Sequence, residues 1–235
     1  MPNPVQQAGG NGTATPLSLT LSAVGAANAL ILMVYVWNQG AAPSTITPSG
    51  GGVTWVQDQH TTIGAGPSPS GMCDIWHGLN ASGGATSVSV AVSGSFSWVA
   101  ATVIEWSGLQ LTGQPDGKNG NLNSGSGTAD PGAFTTTNSS ALVVACAGES
   151  GSTLSSGPTS SFIASTEQAN FISGQSTRFE CAYLDNASAG SHDTTWTWAG
   201  TPGWIATIAG FGETVFPAIG LPTSNVVPVL TVQQW

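Results

Sequence analysis

Few side chains in this sequence could perform acid–base chemistry near neutral pH, and they are scattered along the chain. His60, His77 and His192 are the three imidazoles, and 11 acidic residues are spread over 235 positions. Acid–base catalysis requires such groups to converge in one cleft. No nucleophile motif, phosphate-binding loop or calcium loop groups them. The sequence therefore predicts a non-enzymatic protein with no catalytic residues and no cofactor.

One short segment contains the residue types of a metal site. His192 and Asp193 are adjacent in a predicted turn, and Asp185 lies shortly before them. Imidazole nitrogens and carboxylate oxygens are common metal ligands. Aspartate is also an ordinary turn former. We favour the turn interpretation, so no metal site is predicted.

A single carboxylate interrupts one of the apolar runs. Glu105 follows Val103 and Ile104 and precedes Trp106. A buried carboxylate is costly unless it has hydrogen-bond partners. We expect Glu105 to contact a backbone or hydroxyl group, or to point outward, and to have no catalytic role.

The three cysteines, Cys73, Cys146 and Cys181, are an odd set without C-x-x-C spacing. This pattern argues against both a zinc site and a disulfide framework. Cys146 and Cys181 fall in apolar, strand-like runs, which favours a role as small buried hydrophobic side chains. A single Cys146–Cys181 disulfide is the alternative if their two strands pair.

Tryptophan is unusually common, with nine residues against two tyrosines. Aromatic rings exposed near strand ends could form a platform for stacking on sugar rings. The alternative, which we favour, is that they fill the sandwich and a subunit interface. The candidates for the platform are Trp37, Trp55, Trp76, Trp196 and Trp198.

Composition restricts the class of partner. Only 6% of residues are charged, the net charge is −9, and two cations stand against 11 acids. Such a surface repels phosphate, which excludes nucleic acid and anionic membranes as favoured partners. The longest apolar stretch, residues 29–37, is about half the length of a membrane-spanning helix. Residues 1–4 contain no cation, so no secretory signal is predicted and the protein is expected to be soluble and made in the cytoplasm.

Alternating or continuous apolar runs separated by Gly, Pro, Asn and Ser predict an all-β fold. Residues 17–21 alternate strictly, and residues 30–37 read as a strand buried on both faces. The segment 112–130 is rich in Gly, Asn and Ser and predicts a long surface connection. The other candidate strands are 53–57, 72–77, 86–92, 97–106, 133–137, 141–147, 177–184, 194–198 and 204–211.

An internal repeat relates the two parts of the chain at an offset of about 106 residues. The offset matches residues 80–82 with 186–188, Asp74 with Glu180, and Trp98 with Trp204. We interpret the two tryptophans as equivalent core residues. Each half resembles a unit of about four strands that covers the apolar face of the other. The predicted architecture is a two-sheet β-sandwich or jelly roll of about eight or more strands.

The predicted organisation has three parts. Residues 1–15 form a flexible or partner-bound arm, because they are polar and lack periodicity. Residues 16–215 form the sandwich, with repeat halves at about 17–110 and 133–213. Residues 216–235 contain prolines within an apolar alternation, which predicts an edge strand or extended arm.

Four segments carry a resemblance to a group of β-sandwich domains found in phage virion proteins and large bacterial surface proteins. The segments are residues 30–34, 53–55, 75–83 and 99–109, and the resemblance extends roughly over residues 17–212. It implies a fold more strongly than a function, and it carries over no catalytic set.

The resemblance implies a structural protein of the virion, expected to be a capsid decoration protein or a tail or fibre subunit. Its expected partners are major capsid or tail subunits and further copies of itself. A carbohydrate-binding or adhesin-like module is the alternative function. A glycan-cleaving enzyme is the least favoured interpretation, because it needs two carboxylates at a working separation in a groove.

Overall fold

The computed structural model describes residues 4–38, 45–63, 70–151, 154–165, 169–172 and 175–214. Within these ranges the chain consists of strands, turns and connecting segments, without any helix. The prediction of an all-β fold is confirmed. Accordingly, the described part of the chain has no helix that is long and apolar enough to span a bilayer.

Eight strands form the N-terminal half. They are β1 (Pro4–Gly12), β2 (Leu17–Thr20), β3 (Ala29–Asn38), β4 (Thr45–Gly50), β5 (Thr54–Ile63), β6 (Ser70–Leu79), β7 (Ser87–Ser93) and β8 (Trp98–Trp106).

The C-terminal half follows with more and shorter strands. They are β9 (Gly117–Ser124), β10 (Thr128–Ala129), β11 (Phe134–Thr136), β12 (Ala141–Ser150), β13 (Leu154–Ser156), β14 (Ile163–Ala164), β15 (Ala169–Ile172), β16 (Gln175–Ala187), β17 (Gly190–His192), β18 (Trp196–Trp198) and β19 (Gly203–Gly212).

Each half is a sandwich of its own, and the two halves share one topology. In the N-terminal half a large sheet has the order β1-β8-β3-β6-β5 and an outer sheet has the order β2-β7-β4. In the C-terminal half the large sheet runs β9-β19-β12-β16, and β14 and β15 both pair with the remaining edge of β16. Its outer layer contains the sheet β10-β18-β13 and the pair β11-β17. In both halves the first strand pairs with the last.

The layers explain which strands are apolar throughout. All residues of β3 and β8 are buried, because their sheet is covered on both faces. The outer strand β7 instead alternates, with Val88, Val90 and Val92 inside and Ser or Ala outside. The prediction of a β-sandwich built from two similar halves is therefore confirmed, and the jelly-roll variant stays a prediction.

Three apolar cores separate four layers. One core lies between the two large sheets and joins Met33 and Ile104 to Val144 and Phe211. The second lies between the large and outer sheets of the N-terminal half. The third lies between the corresponding layers of the C-terminal half.

The two large sheets pack so that the contacts of one half recur in the other. β3 lies against β12, β1 against β15, and β5 against β9. In the strand orders of the two halves, β1 corresponds to β9, β3 to β12 and β5 to β15. If each strand is replaced by its counterpart, the β1–β15 contact becomes the β9–β5 contact, and the β3–β12 contact is unchanged. This is the pattern of a twofold, isologous interface, here formed within one chain.

The structure corrects the predicted number of layers. We expected each half to supply one sheet of about four strands, but each half supplies both a large sheet and an outer layer. The additional strands include β1 and β9, which have polar, Gly-rich sequences without apolar alternation.

The expected equivalence of Trp98 and Trp204 is also corrected. Trp98 faces the core between the large sheets, whereas Trp204 faces the outer core of the C-terminal half. Their strands do correspond, since β8 and β19 occupy the same place in the two sheets. A shift of one residue in strand register turns every side chain to the other face of the sheet. The sequence offset that aligns the two tryptophans therefore matches residues that point to opposite faces of their sheets.

The predicted arms and boundaries change as well. Residues 4–12 are not a loose arm: they form β1, paired with β8 from Asn11 opposite Ala100 to Pro4 opposite Trp106. The second half begins with β9 at Gly117 rather than at residue 133. The predicted C-terminal arm, residues 216–235, lies outside the described residues.

Candidate functional site

A β-bulge in β5 determines where the polar side chains of the N-terminal half point. The pairing of β5 with β6 shifts between Gln57 and Gln59, which leaves Asp58 as the additional residue. Because a bulge inserts one additional residue, the side chains that follow it point to the opposite face from the one that an unbroken strand would give them. Gln57 and His60, which an unbroken strand would place on opposite faces, therefore share the face that points to the outer sheet.

On that face, a buried carboxylate fixes two side chains. Asp74 Oδ1 lies 2.7 Å from His60 Nδ1, and Asp74 Oδ2 accepts a hydrogen bond of 2.7 Å from Gln57 Nε2. The Asp74 side chain is 1% exposed and the His60 side chain is 43% exposed. The hydrogen bond to Asp74 raises the pKa of His60 against the opposing effect of burial. Asp74 therefore holds an accessible imidazole in a defined orientation.

These residues line a cleft of the N-terminal half. The cleft has a volume of about 350 Å³ and lies between β4 and the β5–β6 hairpin. Its walls are Thr45, Ile46, Thr47, Gln57, His60, Met72, Asp74 and Trp76. It combines hydrogen-bonding groups with apolar surface, which is the usual character of a small-molecule site.

A second histidine–aspartate pair lies on the opposite face of the same hairpin. Asp58 Oδ1 and His77 Nδ1 are 2.6 Å apart, and both residues are buried. The His77 ring packs edge-on against Phe211 of the C-terminal half, with ring centroids 5.9 Å apart. Lys118 donates a hydrogen bond to the backbone carbonyl of Asp58. Burial raises the pKa of Asp58 despite the opposing effects of His77 and Lys118, and this pair belongs to the interface between the halves.

The C-terminal half has a carboxylate at the position that corresponds to Asp74. Glu180 is 2% exposed and, like Asp74, points away from the core between the large sheets. Its Oε2 has no hydrogen-bond partner within the described structure. Burial raises the pKa of Glu180 to about 7, and the nearby Arg178 opposes the shift.

The three residues of the metal alternative have different partners in the structure. His192 Nε2 lies 2.9 Å from Thr136 Oγ1 and 3.0 Å from the Ser188 carbonyl oxygen. Asp193 adjoins Asp130, and Asp185 adjoins Glu213. Within the described ranges no group of three or more His, Cys, Asp or Glu side chains is arranged to hold a metal ion.

Glu105 makes the backbone contact that we expected, and it does not point outward. It is fully buried, and Oε1 accepts hydrogen bonds from the Gly25 backbone at 2.8 Å and from Asn28 Nδ2 at 2.5 Å. Gln6 of β1 donates to the other oxygen. The partners are one backbone amide and two carboxamides, and together they attach β1 and the β2–β3 connection to β8.

The cysteines are buried free thiols at the centre of the core between the large sheets. Cys146 and Cys181 are direct partners across β12 and β16, but they do not form a disulfide. The Cys146 sulfur lies 3.2 Å from that of Cys73. Burial raises the pKa of all three thiols. The prediction that they serve as small buried side chains is confirmed for Cys146 and Cys181.

Three of the five tryptophans considered for a sugar platform are buried. Trp37, Trp196 and Trp198 are at most 4% exposed and lie in the apolar cores, so the favoured interpretation that they fill the sandwich is confirmed for them and the platform alternative is wrong. Trp55 and Trp76 are partly exposed and pack on the outer core of the N-terminal half. Of these two, Trp76 lines the cleft.

Sequence reasoning named His60 and Trp76 but gave no reason to place them together. It also missed Gln57 and Asp74 as parts of one site. An alternation of polar residues in β5 would have predicted opposite faces for residues 57 and 60, and only the bulge places them side by side.

Comparison of the chain with protein-family models, with curated proteins and with solved structures gives no match.

Proposed function

We propose that this protein is a non-enzymatic structural subunit of a phage virion, of the capsid decoration or tail type. Its role would be to bind neighbouring capsid or tail subunits and further copies of itself, and so to reinforce the particle. The sequence resemblance of roughly residues 17–212 supports the virion setting.

The observation that carries the structural role is the back-to-back packing of two complete sandwiches. Both faces of each large sheet are used for packing, and the interior is filled by three apolar cores. Buried carboxylates such as Glu105 and Glu213 accept hydrogen bonds from internal donors. A body of this kind supports rigid assembly through its outer faces.

Those outer faces are polar and uncharged. Thr45 and Ser49 of β4 and Ser87 and Ser93 of β7 are exposed on the outer sheet of the N-terminal half. Hydroxyl-rich surfaces of low charge can contact a neighbouring subunit without the cost of desolvating ions.

Purified particles assembled with and without the protein test this proposal. Cryo-electron microscopy and mass spectrometry should find the protein at a fixed position and stoichiometry, and particles lacking it should lose genome at lower temperature. Its absence from purified virions would reject the virion role.

A carbohydrate-binding surface or tail-fibre module is the second candidate function. The specific observation that favours it is the partly exposed Trp76 in a cleft that also contains an oriented imidazole and a carboxamide. A panel of glycans, read out by tryptophan fluorescence, tests it. A flat response to every glycan would remove this candidate and leave the structural role.

A further inference from the structure

The cleft of the N-terminal half has the size and composition of a site for one small polar ligand. Its volume of about 350 Å³ is at the lower end of the range for ligand pockets. Ile46, Met72 and Trp76 provide apolar walls, and Gln57 and His60 provide hydrogen-bonding groups.

The hydrogen-bonding groups of the cleft are held in place before any ligand arrives. Asp74 is nine-tenths buried or more, and each of its carboxylate oxygens is engaged by one residue of the wall. His60 uses Nδ1 and Gln57 uses Nε2 for these bonds. His60 Nε2 and Gln57 Oε1 have no partner within the described residues, so they are the atoms that remain for a ligand. Such preorganisation reduces the entropy lost on binding.

The charges of the site define the ligand class. Asp74 offers no accessible oxygen to a cation, because its side chain is 1% exposed and His60 and Gln57 each engage one of its oxygens. The net charge of −9 disfavours anions. The ligand is therefore neutral, and it must both donate and accept hydrogen bonds beside an apolar wall. A sugar ring has these properties, since its hydroxyl groups do both and its C–H faces pack on aromatic surface.

We propose that the cleft between β4 and the β5–β6 hairpin binds one residue of a neutral saccharide, with Gln57 and His60 as the hydrogen-bonding groups and Trp76 as the apolar wall. This inference rests on the second candidate function and names its site and ligand class. It is independent of the virion role, because it concerns the isolated chain.

The test is a titration of the full chain with neutral sugars. Glucose, galactose, mannose and N-acetylglucosamine, together with short neutral oligosaccharides, are added while binding is followed by calorimetry and saturation-transfer NMR. Galacturonate and glucosamine serve as anionic and cationic probes. We expect at least one neutral sugar to bind, and the charged analogues to bind at least tenfold more weakly.

Variants then locate the site. Gln57→Ala and His60→Ala should each weaken binding about three- to tenfold, as expected for the loss of one ligand hydrogen bond. Val56→Ala is the matched control, because this exposed residue lies on the same strand opposite His77 and on the other face. It should leave binding unchanged. Circular dichroism and the thermal midpoint establish that each variant is folded.

Three results would overturn the inference. They are no binding of any neutral sugar, preferential binding of a charged analogue, and binding that Gln57→Ala and His60→Ala leave unchanged. The last result would place sugar binding elsewhere, so the second candidate function would survive while this site would not. Absence from virions would reject the virion role and leave this inference untouched.

Discussion

The two halves share a strand order but treat one buried carboxylate in opposite ways. Asp74 on β6 is hydrogen-bonded by both His60 and Gln57, whereas Glu180 on β16 has one oxygen without a partner among the described residues and a pKa of about 7. The N-terminal half builds an oriented polar cleft around its carboxylate. The comparison shows that strand topology determines where a side chain lies, whereas the residues of the neighbouring edge strand determine its hydrogen-bond partners.

The halves also differ where β3 and β12 meet at the centre of the interface between them. β3 carries Tyr35, whose ring stacks on Phe179 with centroids 6.0 Å apart. β12 carries Gly148, and a Cβ atom there would collide with the Tyr35 ring. An interface with twofold strand packing thus contains a large residue on one side and a glycine on the other.

The largest effect is expected for a substitution that disrupts this central contact. Gly148→Val should lower the free energy of unfolding by about 3 kcal/mol, because the side chain must displace Tyr35 or separate the large sheets. Urea denaturation measures the change. Gly12→Ala is the control, since the nearest atom to its added Cβ is 3.9 Å away. Equal stability of Gly148→Val and wild type would show that the two halves do not pack as described.

The next largest effect is expected when the carboxylate of Asp74 is removed. Asp74→Ala should lower the free energy of unfolding by about 2 kcal/mol, because the His60 and Gln57 side chains lose their shared acceptor. Thermal and urea unfolding at pH 7 measure it. Gln59→Ala, on the same strand as Gln57 and His60 but on the opposite face, controls for effects on β5 itself. A stabilised Asp74→Ala variant would contradict the role of Asp74 as an anchor.

A smaller change in the free energy of unfolding, in the stabilising direction, is expected when Glu180 is replaced. The pKa of Glu180 in the folded protein, about 7, is above its ordinary value of 4.5. Its contribution to stability is therefore complete below about pH 4.5 and is lost as the pH rises through 7. The raised pKa of His60 acts in the same direction, with its contribution complete below the ordinary value of 6.5 and lost at higher pH.

Wild-type protein should consequently be less stable at pH 8 than at pH 5. Glu180→Gln should be roughly 1–2 kcal/mol more stable than wild type at pH 8 and nearly equal to it at pH 5. Urea denaturation at the two pH values measures both differences. A Glu180→Gln variant that is destabilised equally at both pH values would show that the carboxylate makes a specific contact.

The smallest expected effect concerns the thiols at the interface between the halves. Cys73, Cys146 and Cys181 are all buried and have raised pKa values, so none should react with a thiol reagent such as DTNB in the native state. All three should react in denaturant. Rapid labelling of native protein would indicate that the large sheets separate readily.

Much of the fold could be predicted because apolar patterning reports burial directly. The doubly covered β3 and β8 appear as continuous apolar runs, and the singly covered β7 appears as a Val/Ser alternation. β1 and β9 could not be found this way. Each is the first strand of its half and is held to the last strand by backbone hydrogen bonds, which Gly, Gln and Asn can make as well as Val.

The candidate site was less predictable for a different reason. It depends on a single additional residue in β5, and nothing in the composition around Asp58 indicates a bulge. The number of layers was missed because a repeat shows that two units are similar and gives no information on whether each unit is one sheet or two. The sequence match placed Trp204 on the wrong face of its sheet, because a shift of one residue in strand register turns every side chain to the other face.

The twofold arrangement within one chain has a consequence for how the protein could diversify. Two separate subunits of identical sequence would have to change together, and they would come apart on dilution. A covalent link holds the partners at a high effective concentration whatever the amount of protein. One copy is then free to specialise while the other maintains the scaffold, and among the described residues the cleft that contains His60 belongs to the N-terminal half.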